Sequence, residues 1–203
     1  MEWLTVNSIG HSWSRIESWL RDRDEMRELA PPATERDIAL VEGRLGVRLP
    51  PEVSESLRYH NGSGAFTLPP HFGMLSTLEI VKAWEVKVSV WAGSDYHPFS
   101  AHYVQFATDG CGGELYLDAR NWKDRHIREH DKEGADLRSA HPMWSSITSL
   151  LHHTAQALES GEELDGYYRP GGDGDFLLWR FTDADAVEDV PKRIGKFGIP
   201  ISE

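Results

Sequence analysis

The hydrophobic pattern of this 203-residue chain changes period twice, and that limits the folds open to it. Apolar residues first recur at helical spacing, then alternate, then return to helical spacing from Pro142. Helices on both sides of a run of strands predict an α+β fold, a mostly antiparallel sheet with helices packed around it. Apolar runs never exceed four residues, as in Ile38 to Val41 and Phe176 to Trp179. A membrane span needs roughly 20, so none is expected.

The helical stretches carry their own start and stop signals. Ser14-Arg15-Ile16-Glu17 fits a capping box, and Trp13, Ile16, Trp19 and Leu20 share a face. This predicts a helix over 14–29, closed by Pro31-Pro32. Thr34 can cap a second helix with Ile38, Val41 and Leu45 inward and Gly46 as the stop. Pro50-Pro51 opens a third, with Val53 and Leu57 buried and Asn61-Gly62 ending it. Ser76 to Glu79 is another capping box, with Leu75 and Ile80 placed as a hydrophobic staple. Ile80, Val81, Trp84 and Val88 are expected on its inward face. The closing helix is expected from Pro142, with Met143, Trp144, Ile147, Leu150, Leu151, Thr154, Ala155 and Leu158 in one stripe and Gly161 as the stop.

Between these helices, His102 to Phe106 and Glu114 to Asp118 alternate, joined by Asp109-Gly110-Cys111-Gly112-Gly113. They predict a hairpin with a glycine-rich turn. His126 to His130 is a plausible third strand, and Phe176 to Phe181 a short apolar one.

Chemistry-bearing patterns are sparse. His126 and His130 on a strand would lie about 13 Å apart, too far to share one zinc. Adjacent His152 and His153 diverge by about 100° on a helix. The glycine-rich turn lacks the Lys and Ser/Thr of a phosphate-binding loop. Asp173-Gly174-Asp175 and Asp183-Ala184-Asp185 do not continue into a calcium loop. No metal or cofactor is therefore expected. Cys111 is the only cysteine, so no intrachain disulfide can form, which fits a reducing compartment. The first 20 residues have neither a basic nor an apolar leader segment, and the expected location is the cytoplasm.

Charge narrows the partners. Lys and Arg number 21 against 33 Asp and Glu, a net charge of −12. Nucleic acid and anionic membranes are poor partners for such a chain, because both need clustered positive charge. A basic protein suits it. Residues 159–203 carry 11 acids and 5 bases, which is half of the net charge.

The motifs in order are Leu45-Gly46-Val47-Arg48-Leu49-Pro50-Pro51-Glu52, Tyr59-His60-Asn61-Gly62, Leu75 to Trp84, Phe106-Ala107-Thr108-Asp109-Gly110, Leu115-Tyr116-Leu117-Asp118, and Trp144 before a closing helix. This series resembles the SUKH superfamily, which includes a fungal cell-wall synthesis regulator and many bacterial immunity proteins of polymorphic toxin systems. The resemblance implies a SUKH-like domain over 1–158, with 159–203 an acidic extension packed on or continuing the same domain. It implies a non-catalytic protein that binds and neutralises a toxin, often a nuclease. Two rivals are a regulatory interaction module without a toxin and a small hydrolase using Cys111 or histidines. Loops beside the glycine-rich hairpin, with tyrosine and tryptophan as anchors, are the expected partner surface. Its candidate residues are Tyr59, Trp91, Asp109, Glu114 and Trp122.

Overall fold

The computed structural model describes residues 8–23, 26, 29–91, 101–121, 123, 126–130, 136–138, 145–164, 167–168 and 179–181. They form an α+β fold with an open antiparallel sheet.

Helix α1 runs Ile9–Arg21, with Ser8 as its cap. The helix thus begins well before the Ser14 box. Ile9, Trp13, Ile16 and Leu20 form a continuous buried stripe at i, i+4, i+7 and i+11, so Ser14 and Glu17 lie inside the helix. It also ends at Arg21, short of the expected 29.

Helix α2, Glu35–Leu45, starts at Thr34 as expected, with Asp37 completing a capping box, and stops at left-handed Gly46. Helix α3, Pro51–Tyr59, opens at the proline pair and buries Val53 and Leu57. Its end differs from expectation. His60 leaves the helix in an extended conformation, and Asn61-Gly62 serves the next helix instead. The Asn61 side chain accepts the Thr77 N–H at 2.8 Å, at the start of helix α4, Thr77–Trp91. Ser76 and Glu79 make the expected capping box there. Leu75 and Ile80 are both buried, as the staple requires. Val88, placed inward by periodicity, is 37% exposed.

Strand β1, Gly73–Met74, is followed after α4 by β2, Tyr103–Thr108, β3, Glu114–Asp118, β4, Arg128–His130, and β5, Asp136–Arg138. They form one sheet in the order β1-β2-β3-β4-β5, every pair antiparallel. The expected hairpin is β2–β3. A register shift between Gln105 and Ala107 interrupts its alternation, so Phe106 and Ala107 are both buried. The third expected strand begins two residues late, at Arg128.

Helix α5, Ile147–Ser160, is capped by Ser146 and closed by Gly161. It starts later than the expected Pro142, and Met143 and Trp144 lie outside the described residues. Strands β6, Tyr167–Tyr168, and β7, Arg180–Phe181, pair separately. Residues 176–178 of the expected apolar strand lie outside the described residues, as do both Asp-x-Asp segments.

Helix α1 packs mainly on α5 and on α3, while α2 packs on α4 and α4 on β2. Trp13 sits at the centre of the core, fully buried. Its indole N–H donates to Ser56 Oγ at 3.0 Å, and its ring meets His60 and Phe66 edge-on. Glu52, buried on α3, accepts the Ile147 N–H at 3.0 Å and the Thr148 hydroxyl at 2.7 Å. A carboxylate thus faces the positive end of α5. No helix among the described residues is long and apolar enough to cross a membrane.

Candidate partner-binding surface

The turn between β2 and β3 is organised by its own polar side chains. Asp109 Oδ1 accepts the N–H of Cys111 at 2.7 Å and of Gly113 at 2.8 Å. The Thr108 hydroxyl donates to Gly113 O and accepts from Gly110 N–H. Asp109 therefore works as a turn former, closing a loop that presents exposed, unpaired Cys111.

Glu114 opens β3 directly across from His130 and Thr108. Its carboxylate receives Lys87 Nζ of α4 at 2.6 Å, faces His130 Nδ1 at 3.4 Å, and accepts the Tyr116 hydroxyl. Burial alone would push this carboxyl up. The contacts with His130, Lys87 and Tyr116 outweigh it and hold Glu114 below the usual carboxylate range. Further along this face Asp118 pairs with Arg120, which lowers the Asp118 carboxyl. Arg120 and Arg128 both approach the Tyr103 ring. The sheet face is thus charged and internally compensated.

The structure brings Asp109 and Glu114 together in one hairpin. Tyr59 lies elsewhere, in the packing of α3 on α1. Its ring lies over Gly10, where an added Cβ would fall 2.0 Å from the hydroxyl oxygen. The residue remains 39% exposed. Trp91 is the last residue of α4, and its side chain and the whole of Trp122 lie outside the described residues.

A concave surface that sequence reasoning passed over lies between α2 and α3. It encloses about 500 Å³. Its lining includes buried Ile38 and Leu49, exposed Ala39 and Pro51, and Ala119, after β3. Two ion pairs border it. Arg58 donates through Nε and Nη2 to both Glu35 oxygens, at 2.5 and 3.0 Å, which lowers the Glu35 carboxyl. Glu42 accepts the Leu49 N–H at 3.0 Å and faces Arg48 at 3.9 Å. The one legible signal was Arg48 itself, a lone charge in Leu45-Gly46-Val47-Arg48-Leu49-Pro50. The groove joins two regions holding expected anchors, since Arg58 precedes Tyr59 and Ala119 lies three residues before Trp122.

Residues 32–152, well over half of the chain, match the SMI1 / KNR4 family model (SUKH-1). The chain belongs to the SUKH-1 family. The α2–α3 groove, the joint at Asn61-Gly62 and the β2–β3 hairpin all fall within the matched SUKH-1 segment, and α1 precedes it. SUKH proteins are generally non-catalytic. No curated protein matches this SUKH-1 chain. Among its described residues, no three His, Cys, Asp or Glu side chains are grouped to hold a metal ion.

Proposed function

We propose that this SUKH-1 protein is a cytoplasmic immunity protein, which neutralises a protein toxin by binding it stoichiometrically and without catalysis. Family membership over 32–152 carries the reading. The net charge of −12 adds to it. A nuclease toxin must hold phosphate and is therefore basic at its active site, so an acidic inhibitor is drawn in by long-range attraction. Exposed Glu162 and Glu163, just after α5, belong to the acidic segment that contributes this field. Recognition uses the five residues named from sequence in two ways. Asp109 and Glu114 act through the hairpin they hold in shape, while Tyr59, Trp91 and Trp122 supply aromatic contact.

The deciding experiment takes the C-terminal domain of a large secreted protein encoded beside this gene. Its expression is expected to arrest growth, and co-expression of this chain to restore it, with a 1:1 complex recovered. Cys111→Ala is expected to protect equally well. Failure to protect or to form the complex would overturn the reading, leaving the regulatory module. Loss of protection in Cys111→Ala alone would favour the hydrolase.

A further inference from the structure

We infer that His60 is held as a doubly protonated, cationic ring, and that this buried cation is a proton-dependent latch seating α1 on the SUKH-1 segment.

The geometry carries it in three steps. First, His60 is placed to join separate parts of the chain. It leaves α3 in an extended conformation, and its side chain is 8% exposed. His60 lies within the matched segment, whereas both groups that meet its ring nitrogens, Ala30 O and Glu17, precede it. The next residue, Asn61, donates its N–H to Pro31 O at 2.8 Å and accepts the Thr77 N–H at the start of α4. The latch thus sits where α1, the connection before α2 and the start of α4 converge.

Second, both ring nitrogens face atoms that accept. Nδ1 lies 2.7 Å from Ala30 O, a carbonyl oxygen that cannot donate. Nε2 lies 3.1 Å from Glu17 Oε1. An ionised carboxylate is likewise an acceptor only, and a neutral imidazole has one N–H to give. With one N–H the ring would satisfy one oxygen and turn a bare lone pair toward the other. With two it satisfies both, and its contact with Glu17 becomes charge-assisted.

Third, the charge is compensated on the spot. From α1, Glu17 faces the ring directly, and Arg21 stands behind it, 3.8 Å from the other Glu17 oxygen. Trp13 of the same helix packs edge-on, with ring centroids 4.8 Å apart. The connection before α2 faces the ring with the Ala30 carbonyl. A buried cation requires such a paired and hydrogen-bonded setting. Loss of the second proton removes the charge-assisted bond to α1, so the latch loosens as pH rises.

Long-range ¹H–¹⁵N correlation on the labelled full chain reads the ring directly. At pH ~7.5 an unperturbed histidine is largely neutral. Both His60 nitrogens are nevertheless expected to carry a proton there and to resonate as an imidazolium pair. Glu17→Gln keeps the shape and can donate to Nε2, so its His60 should revert to a neutral ring protonated at Nδ1 alone. Amide hydrogen exchange, corrected for its intrinsic pH dependence, is the second readout. Between pH ~7.5 and ~9.5 the protection of Ile16 and Leu20 in α1 should fall several-fold in the wild type and stay level in Glu17→Gln. A bare Nε2 in the wild type at the lower pH, ring signals unchanged by Glu17→Gln, or protection that behaves alike in both proteins would overturn the proposal.

Discussion

Gly62 holds φ at +81°, and a Cβ there would fall 2.7 Å from Ser76 N and 2.9 Å from Met74 O. Both the left-handed backbone and the close approach of β1 exclude a side chain. Gly62→Val should therefore destabilise the protein by about 2 kcal/mol, the scale of local backbone strain, with denaturant titration as the measurement. An unchanged midpoint would refute this. Glu52 makes a complementary case, because it fills a need rather than a space. Its buried carboxylate accepts an N–H and a hydroxyl from the first turn of α5. Glu52→Ala leaves those donors without it in the interior, and should cost about 2 kcal/mol. Glu52→Gln retains one acceptor oxygen and should recover part of the loss in the same assay. Neither residue was legible from sequence in its actual role. Asn61-Gly62 reads as a helix stop because that pair commonly is one, yet its partners lie 12 to 16 positions further on. Glu52 sits in an amphipathic helix like any surface acid, and only the docking of α5 turns it into a cap.

The contact of α1 with α5 places one titrating group under constraint. Arg15 donates to both Glu159 oxygens, at 2.8 and 2.5 Å, and its Nη1 lies 3.3 Å from His152 Nδ1. A guanidinium can only donate, so His152 must accept through an unprotonated Nδ1. Burial first, then Arg15, His153 and His11, hold the His152 imidazole below its ordinary value, against the pull of Glu159. Above pH ~6.5 the ring is neutral whether the chain is folded or not. As pH falls below that, the unfolded chain takes up a proton that the folded one resists, so stability declines until the folded value is passed. Thermal midpoints followed from pH ~7.5 to ~5.5 should fall in the wild type, and fall less in His152→Gln. Parallel slopes would refute the assignment. The same elements mark how far sequence reaches. Thr34, Ser76, Gly46 and Gly161 are local signals, and α2, α4 and α5 use them as read. Ser14-x-x-Glu17 is an equally good local signal, but burial of Ile9 and Trp13 carries α1 past it toward the N-terminus. Val88 fails for the converse reason, since the helical period continues through a residue whose side chain is exposed. Strands β1 and β5 are two and three residues long, and pairing with β2 and β4 rather than any pattern of their own defines them. The groove was hidden because it arises between helices, while the composition of each helix speaks only to its own inward face.

On the scale of the whole molecule, Trp179 ties the acidic segment beyond α5 to the core. Trp179 is 2% exposed, and its indole N–H donates to Thr67 O at 2.8 Å, 112 residues away in sequence. It belongs to the same buried cluster as Phe66, Leu68, Phe72 and Trp13. Sequence placed Trp179 in a short apolar strand and assigned the surrounding segment mainly its charge. The contact adds a structural role. A fully buried tryptophan removes a large apolar area from water and satisfies a backbone carbonyl in the loop between α3 and β1. Trp179→Ala should therefore cost roughly 3–5 kcal/mol, through lost transfer energy and the cavity left behind. Trp179→Phe should recover most of the packing but lose the indole hydrogen bond to Thr67 O, at about 1 kcal/mol. Replacing Glu162 and Glu163 together by Gln should leave the unfolding midpoint nearly unchanged, because both side chains are exposed and away from the core. If the segment served charge alone, Trp179→Ala would melt like the wild type. If it also completes the core, as the position of Trp179 requires, the two kinds of substitution will separate: the tryptophan will govern the melting temperature, and the acids only the salt dependence of association.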